Sequence, residues 1–98
     1  MSNYKLSLRA VDDLASIYRY TFLEYGETQA DTYAIVIEEA IVNLANNPEL
    51  GRSESHTRSD YFSYLVGKHI VFLKKRKNAV FVVRIVHQQM KFELHLRN

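Results

Sequence analysis

The hydrophobic period of this sequence changes once, and that change decides what the chain can fold into. Between Val11 and Leu44 apolar residues return at offsets of three and four, whereas from Tyr61 onward they alternate or run continuously. The first period belongs to helices and the second to strands. In the helical half, Val11, Leu14, Ala15, Tyr18, Phe22 and Tyr25 form one stripe, closed by Gly26 as a C-cap. The stretch "TQAD" predicts a new helix with Thr28 as N-cap and Asp31 three residues on, in the manner of a capping box. Ala30, Tyr33, Ile37, Ala40, Ile41 and Leu44 form its stripe, which ends near Asn46-Asn47, ahead of Pro48. A link of two or three residues between these helices makes an antiparallel hairpin.

In the second half, "YFSYLV", "HIVFLKK" and "VFVVRIVH" read as three strands. Turns at Gly67-Lys68 and at "RKNA" join them, with Asn78 suited to a positive φ. "YKLSL" (Tyr4 to Leu8) alternates and predicts an opening strand, and "KFELHL" predicts a last, edge strand. Asn47 to Asp60 reads as one long polar loop. The predicted fold class is α+β, in the order β-α-α-β-β-β(-β). A helical hairpin packs on one face of a small antiparallel sheet, with the most apolar strand, Val80 to His87, at its centre.

With 98 residues, the chain 1–98 is a single domain. A content of 47% hydrophobic and 24% charged residues excludes disorder. The absence of cysteine excludes a disulfide framework and a Cys-based zinc site, and no metal or cofactor is expected. No apolar run reaches membrane-spanning length, and the opening residues carry no signal-peptide core. The expected location is the cytoplasm, without a membrane partner. A net charge of +2 does not argue for nucleic acid, but its distribution is uneven. Residues 28–47 hold three acids and no Lys or Arg, while residues 74–77 are Lys74, Lys75, Arg76 and Lys77.

Two features point to contact with other macromolecules. The first is Arg84 inside the apolar strand, followed by His87. Strict alternation sends Phe81, Val83 and Ile85 toward the helices and Val82, Arg84 and Val86 to the open face of the sheet. Arg84 there meets an anion, or a neighbouring carboxylate in a structural salt bridge. His87, at the strand end, is either a half-buried terminal histidine or one re-aimed outward by a bulge. Arg52, Arg58, Lys68, His69 and the 74–77 cluster are further basic residues for the same face or its rim, Arg58 and the cluster being candidates for the target surface, with a solvated hairpin tip as the plain alternative for the cluster. The second feature is surplus apolar surface on the helices. Ile35 and Val42 lie roughly 140–160° from Ile37, and Tyr20 and Leu23 lie as far from Tyr18, at about 100° per residue. Either these are scattered surface residues or they merge across the hairpin into a patch for an amphipathic helix.

The order of these pieces resembles ParE-type toxins of the ParE/RelE superfamily, the toxic halves of bacterial type II toxin–antitoxin pairs. The resemblance rests on the opening strand with "AVDDLASIYRYTFLEYG", on "LANNPELGR", on "GKHIVFLKK", and on "VRIVHQQM" with the terminal "HL". It implies the same β-α-α-β-β-β plan, a cognate ParD-like antitoxin whose disordered tail folds over the toxin, and inhibition of DNA gyrase, with or without bound DNA. It implies no small-molecule substrate. RelE members are instead ribosome-dependent mRNA endonucleases, and their site resembles a Lys/Arg cluster from the second helix into the sheet with a late His or Tyr. Here the second helix has no basic residue and no Tyr follows Tyr64. Gyrase inhibition by binding is therefore the expected activity, with no catalytic residue, and mRNA cleavage the alternative.

Overall fold

A computed structural model describes residues 3–54 and 60–89. Its elements are β1 (Asn3–Leu6), α1 (Leu8–Tyr25), α2 (Glu27–Asn46), a 3-10 turn (Pro48–Leu50), β2 (Arg52–Ser53), β3 (Tyr61–Val66), β4 (His69–Arg76) and β5 (Ala79–His87). The five strands form one sheet in the order β1-β5-β4-β3-β2. The α+β plan and the helix-then-strand order are those expected from the sequence. The sheet is mixed, because β1 runs parallel to β5 while the other pairs are antiparallel. β5 is interior, flanked by β1 and β4. The expected strand "KFELHL" lies outside the described residues, and the polar loop contributes the short β2.

The hairpin is tighter than expected. Gly26 alone links the helices, at φ 94°, a left-handed value that glycine reaches without strain. α2 starts at Glu27, so Thr28 is inside the first turn and makes no cap. Asp31 instead accepts a 2.6 Å hydrogen bond from the Tyr18 hydroxyl and ties α2 to α1. That bond, first, and the neighbouring negative charge push the Tyr18 phenol above its usual range. The N-cap that the structure does use is Ser7. Its Oγ accepts from the Ala10 N–H at 2.9 Å, so β1 stops at Leu6 and Leu8 belongs to the helix, highly exposed.

One core lies between helices and sheet. Ile37, Ile41 and Leu44 of α2 meet Val71, Leu73, Val80, Val82 and Ile85, as the α2 stripe predicts. On α1 the buried face is displaced from the expected one. Ala10, Leu14 and Ile17 pack on the core and Thr21 is buried, while Val11, Phe22 and Tyr25 are exposed. Thr21 is buried at no polar cost because its Oγ1 donates to the Ile17 carbonyl at 2.8 Å. A smaller cluster of Tyr61, Phe72 and Val86, with Ile70 and Val83, covers part of the opposite face.

Candidate functional site

β5 does not alternate through its whole length, and this repositions both Arg84 and His87. The register with β4 shifts at Phe72/Leu73, which pair with Arg84 and Val82, so Val83 is an extra residue in a bulge. Val82 therefore faces the helical core and Val83 the opposite cluster, the reverse of strict alternation. Ile85 returns to the helical side and Val86 to the other. The bulge sits where β1 ends, since Leu6 pairs with Val82 and the chain then turns into α1. From there α1 serves the backbone edge that a strand would have paired. Ser7 N–H donates to the Val82 carbonyl at 2.9 Å and Ser7 Oγ to the Val83 carbonyl at 2.6 Å. Asp13 Oδ2 accepts from the Ile85 N–H at 2.9 Å.

Arg84 lies in this seam rather than at the centre of an open face. Its Nε donates to Asp13 Oδ2 at 2.8 Å and one terminal nitrogen to Oδ1 at 3.0 Å, a forked charge-assisted pair. The two side chains are only 12% and 15% exposed. The bond to Asp13 raises the guanidinium's pKa further. The structural salt bridge, raised as the alternative for Arg84, is thus what the fold contains.

His87 and the basic cluster are at opposite ends of the β4–β5 hairpin. Arg76 pairs with Ala79 at the turn, and His69 pairs with His87 at the other end. Residues 74–77 do not form one face. Lys74 Nζ stands 5.1 Å from the Tyr61 ring and the Arg76 guanidinium 5.4 Å from the Phe81 ring. Lys75 stands on the opposite face of the strand, with Nζ 4.1 Å from the Phe62 ring. Lys77 is exposed in the turn. Such cation–π contacts at exposed sites contribute about 0.5–1 kcal/mol each. Arg58 lies outside the described residues.

At the His87 end the structure brings His69 and Lys68, expected at the rim of the open face, together with Tyr33, which the sequence places in the core stripe of the second helix. His69, at the start of β4, meets His87 edge to face with ring centroids 5.2 Å apart. The Tyr33 hydroxyl of α2 lies 2.7 Å from His69 Nδ1 and 3.2 Å from the Val66 carbonyl, and accepts from the Lys68 N–H at 3.2 Å. Tyr33 fits only because the turn carries glycine: a Cβ on Gly67 would lie 2.8 Å from the Tyr33 hydroxyl oxygen, and Gly67 has φ 57°. Burial first, then the neighbouring His87, lowers the His69 pKa. These residues border a cavity of about 300 Å³ together with Tyr20, Thr21, Tyr25 and Gln29. The available signal was the cross-strand position of two histidines flanking a hairpin, which needs the register to be seen.

The four apolar candidates on the helices are all exposed: Tyr20 61%, Leu23 73%, Ile35 53% and Val42 42%. They do not share one depression. Tyr20 borders the histidine cavity, and Leu23 borders a shallow outer depression with Ala15, Tyr18, Arg19 and Phe22. Among the described residues no cluster of His, Cys, Asp or Glu is arranged to hold a metal.

Comparison with known proteins gives a consistent result. The profile of the family described as "ParE toxin of type II toxin-antitoxin system, parDE" matches residues 4–92. A protein from Caulobacter vibrioides named Toxin ParE1 is 33% identical over 96 residues, spanning 98% of this chain and 99% of its own. Toxin ParE1 of Mycobacterium tuberculosis is 32% identical over 96 residues, spanning 97% and 98%. A chain of the chromosomal ParDE TA system from P. aeruginosa superposes with a TM-score of 0.76 at 17% identity, over 89% of this chain and 96% of that one. A chain of the toxin–antitoxin complex RelBE2 from Mycobacterium tuberculosis superposes with a TM-score of 0.60 at 20% identity, over 88% and 96%. At these identities the two structures establish the shared fold.

Proposed function

Because the chain belongs to the ParE toxin family of type II toxin–antitoxin systems, we propose that it inhibits DNA gyrase by binding and that a ParD-like antitoxin neutralises it. Cleavage of RNA through its 2′-hydroxyl needs a base, an acid and cations converging on one phosphate. The observation that carries the gyrase reading is the poverty of cations beside the histidines, where Lys68 is the one Lys or Arg among the described residues that border their cavity. His69 and His87 stand at one end of β4 and residues 74–77 at the other, roughly 23 Å away for seven residues of strand. Arg84 is committed to Asp13, and α2 carries no Lys or Arg. The basic hairpin tip, with Lys74, Lys75, Arg76 and Lys77, is the surface we assign to the acidic gyrase–DNA target, with His87 at the far end as a secondary contact.

The antitoxin reading rests on where apolar surface is left over. Of the eleven large apolar residues that are exposed among the described residues, nine lie on α1 and α2. That concentration fits an amphipathic segment laid across the hairpin, with Leu23, Ile35 and Val42 as anchors and Tyr20 at its margin. No helix among the described residues is long and apolar enough to cross a membrane, and we place the protein in the cytoplasm, where a gyrase poison acts. The deciding experiment adds purified protein to gyrase and relaxed plasmid. Loss of supercoiling is the expected outcome. Unimpaired supercoiling together with cutting of ribosome-bound mRNA would replace this reading with the RelE-like one.

A further inference from the structure

The cavity beside the β3–β4 turn is lined mostly by residues that the gyrase and antitoxin readings leave unused, His87 and Tyr20 excepted, and its lining has a definite chemistry. Lys68, His69 and His87 border it with Tyr20, Tyr25 and Tyr33, and among the described residues no carboxylate does. Both imidazoles are held through Nδ1. The Gln89 N–H donates to His87 Nδ1 at 3.1 Å, so neutral His87 carries its proton on Nε2. The Tyr33 hydroxyl stands 2.7 Å from His69 Nδ1 and has the Val66 carbonyl as acceptor for its own proton. A protonated His69 is therefore satisfied at Nδ1, and what opposes its charge is burial and the adjacent His87. An anion in the cavity would offset both. Coordination of a transition metal by His87 Nε2 would instead need the proton on Nδ1, where the Gln89 N–H already donates.

We propose that the Lys68–His69–His87 cavity is an oxyanion-binding site, built to take a phosphoryl or carboxylate group against a tyrosine rim. The bordering residues that can donate are His69 and His87, through Nε2, and Lys68, and the cavity of about 300 Å³ has ample room for such a group. Tyr33, locked behind His69 by Gly67, is a positioning residue.

The test is titration of the folded chain, followed by the imidazole resonances of His69 and His87, with inorganic phosphate, with acetate, and with chloride at matched ionic strength. Saturable shifts with phosphate or acetate and none with chloride are expected. Phosphate alone saturating assigns the site to phosphoryl groups, and both saturating assigns it to oxyanions at large. Lys68→Ala, in an exposed turn whose backbone bonds persist, should weaken binding about threefold to fivefold, as loss of one exposed charge partner does. His69→Phe should weaken it by about tenfold or more, through loss of a charge-assisted donor. Shifts that do not saturate, that chloride reproduces, or that survive both substitutions would overturn the proposal. So would saturation by Zn²⁺ in place of phosphate. None of these readouts involves gyrase, so failure of one reading leaves the other standing.

Discussion

Asp13 shows how one side chain can hold a seam together. Its carboxylate accepts from Arg84 Nε, from a terminal Arg84 nitrogen and from the Ile85 N–H. Asp13→Ala leaves all three donors unpaired in a site where the partner is 12% exposed. The expected cost is on the order of 3–4 kcal/mol, a large part of a stability of about 5–15 kcal/mol. Replacing both members, Asp13→Ala with Arg84→Met, should cost less than Asp13→Ala alone, because no charge is then stranded. Urea unfolding of the two variants checks the order. His69 makes a second prediction at this scale. Faced by Tyr33, His87 and Lys68, it has a folded pKa below the ordinary 6.5. Between those two values the unfolded chain binds more protons than the folded one, so stability falls as pH drops through 6.5 and the loss ends below the folded pKa. Thermal midpoints measured from pH 7.5 downward should show this fall setting in near pH 6.5. His69→Phe should remove that part of it.

Elements differ in how much of them the sequence disclosed, and the reasons are physical. α2 was legible because its stripe is purely apolar and meets the core directly. α1 was displaced because its buried face includes Ala10 and Thr21, while its aromatic residues Phe22 and Tyr25 face outward. Neither a self-satisfied threonine nor a surplus aromatic declares itself in a periodicity count. The strands β3, β4 and β5 were legible as segments. The bulge at Val83 was not, since it arises where β1 ends and α1 takes over its edge, a tertiary circumstance. Hence strict alternation puts Arg84 on an open face that it does not occupy, and the joining of His69 and His87 to Tyr33 is not visible without the register. The two β-hairpin turns give a controlled comparison. Gly67 and Asn78 have similar φ of 57° and 63°, yet only Gly67 has an aromatic ring against its missing Cβ. Gly67→Ala should cost about 1–2 kcal/mol from backbone conformation alone, and more from displacement of Tyr33. Asn78→Gly should be within about 0.5 kcal/mol of neutral. Thermal denaturation of both variants, with the His69 resonance as a local reporter, separates backbone strain from the lost contact.

For the molecule as a whole, the described surface is divided by chemistry. Cations gather at one end of the β4–β5 hairpin, histidines at the other, and exposed apolar residues on the helical layer. On the proposed function, a division of this kind would let one small domain meet an acidic target and an apolar partner on separate surfaces, so their determinants should be separable by mutation. Ile35 is the position on which to test this. It is 53% exposed on α2 and outside the described core, so a charge there should change stability by no more than about 0.5 kcal/mol. If an antitoxin helix desolvates it as an anchor, Ile35→Asp should weaken the complex by about 2 kcal/mol or more. Gyrase inhibition by the free variant should be retained, because the basic tip is untouched. Calorimetry with the cognate antitoxin and a supercoiling assay on the same preparation measure both. Unchanged antitoxin affinity would move that interface off the outer face of α2, and a parallel loss of gyrase inhibition would show that the two partners compete for the helical layer rather than using opposite layers of the fold.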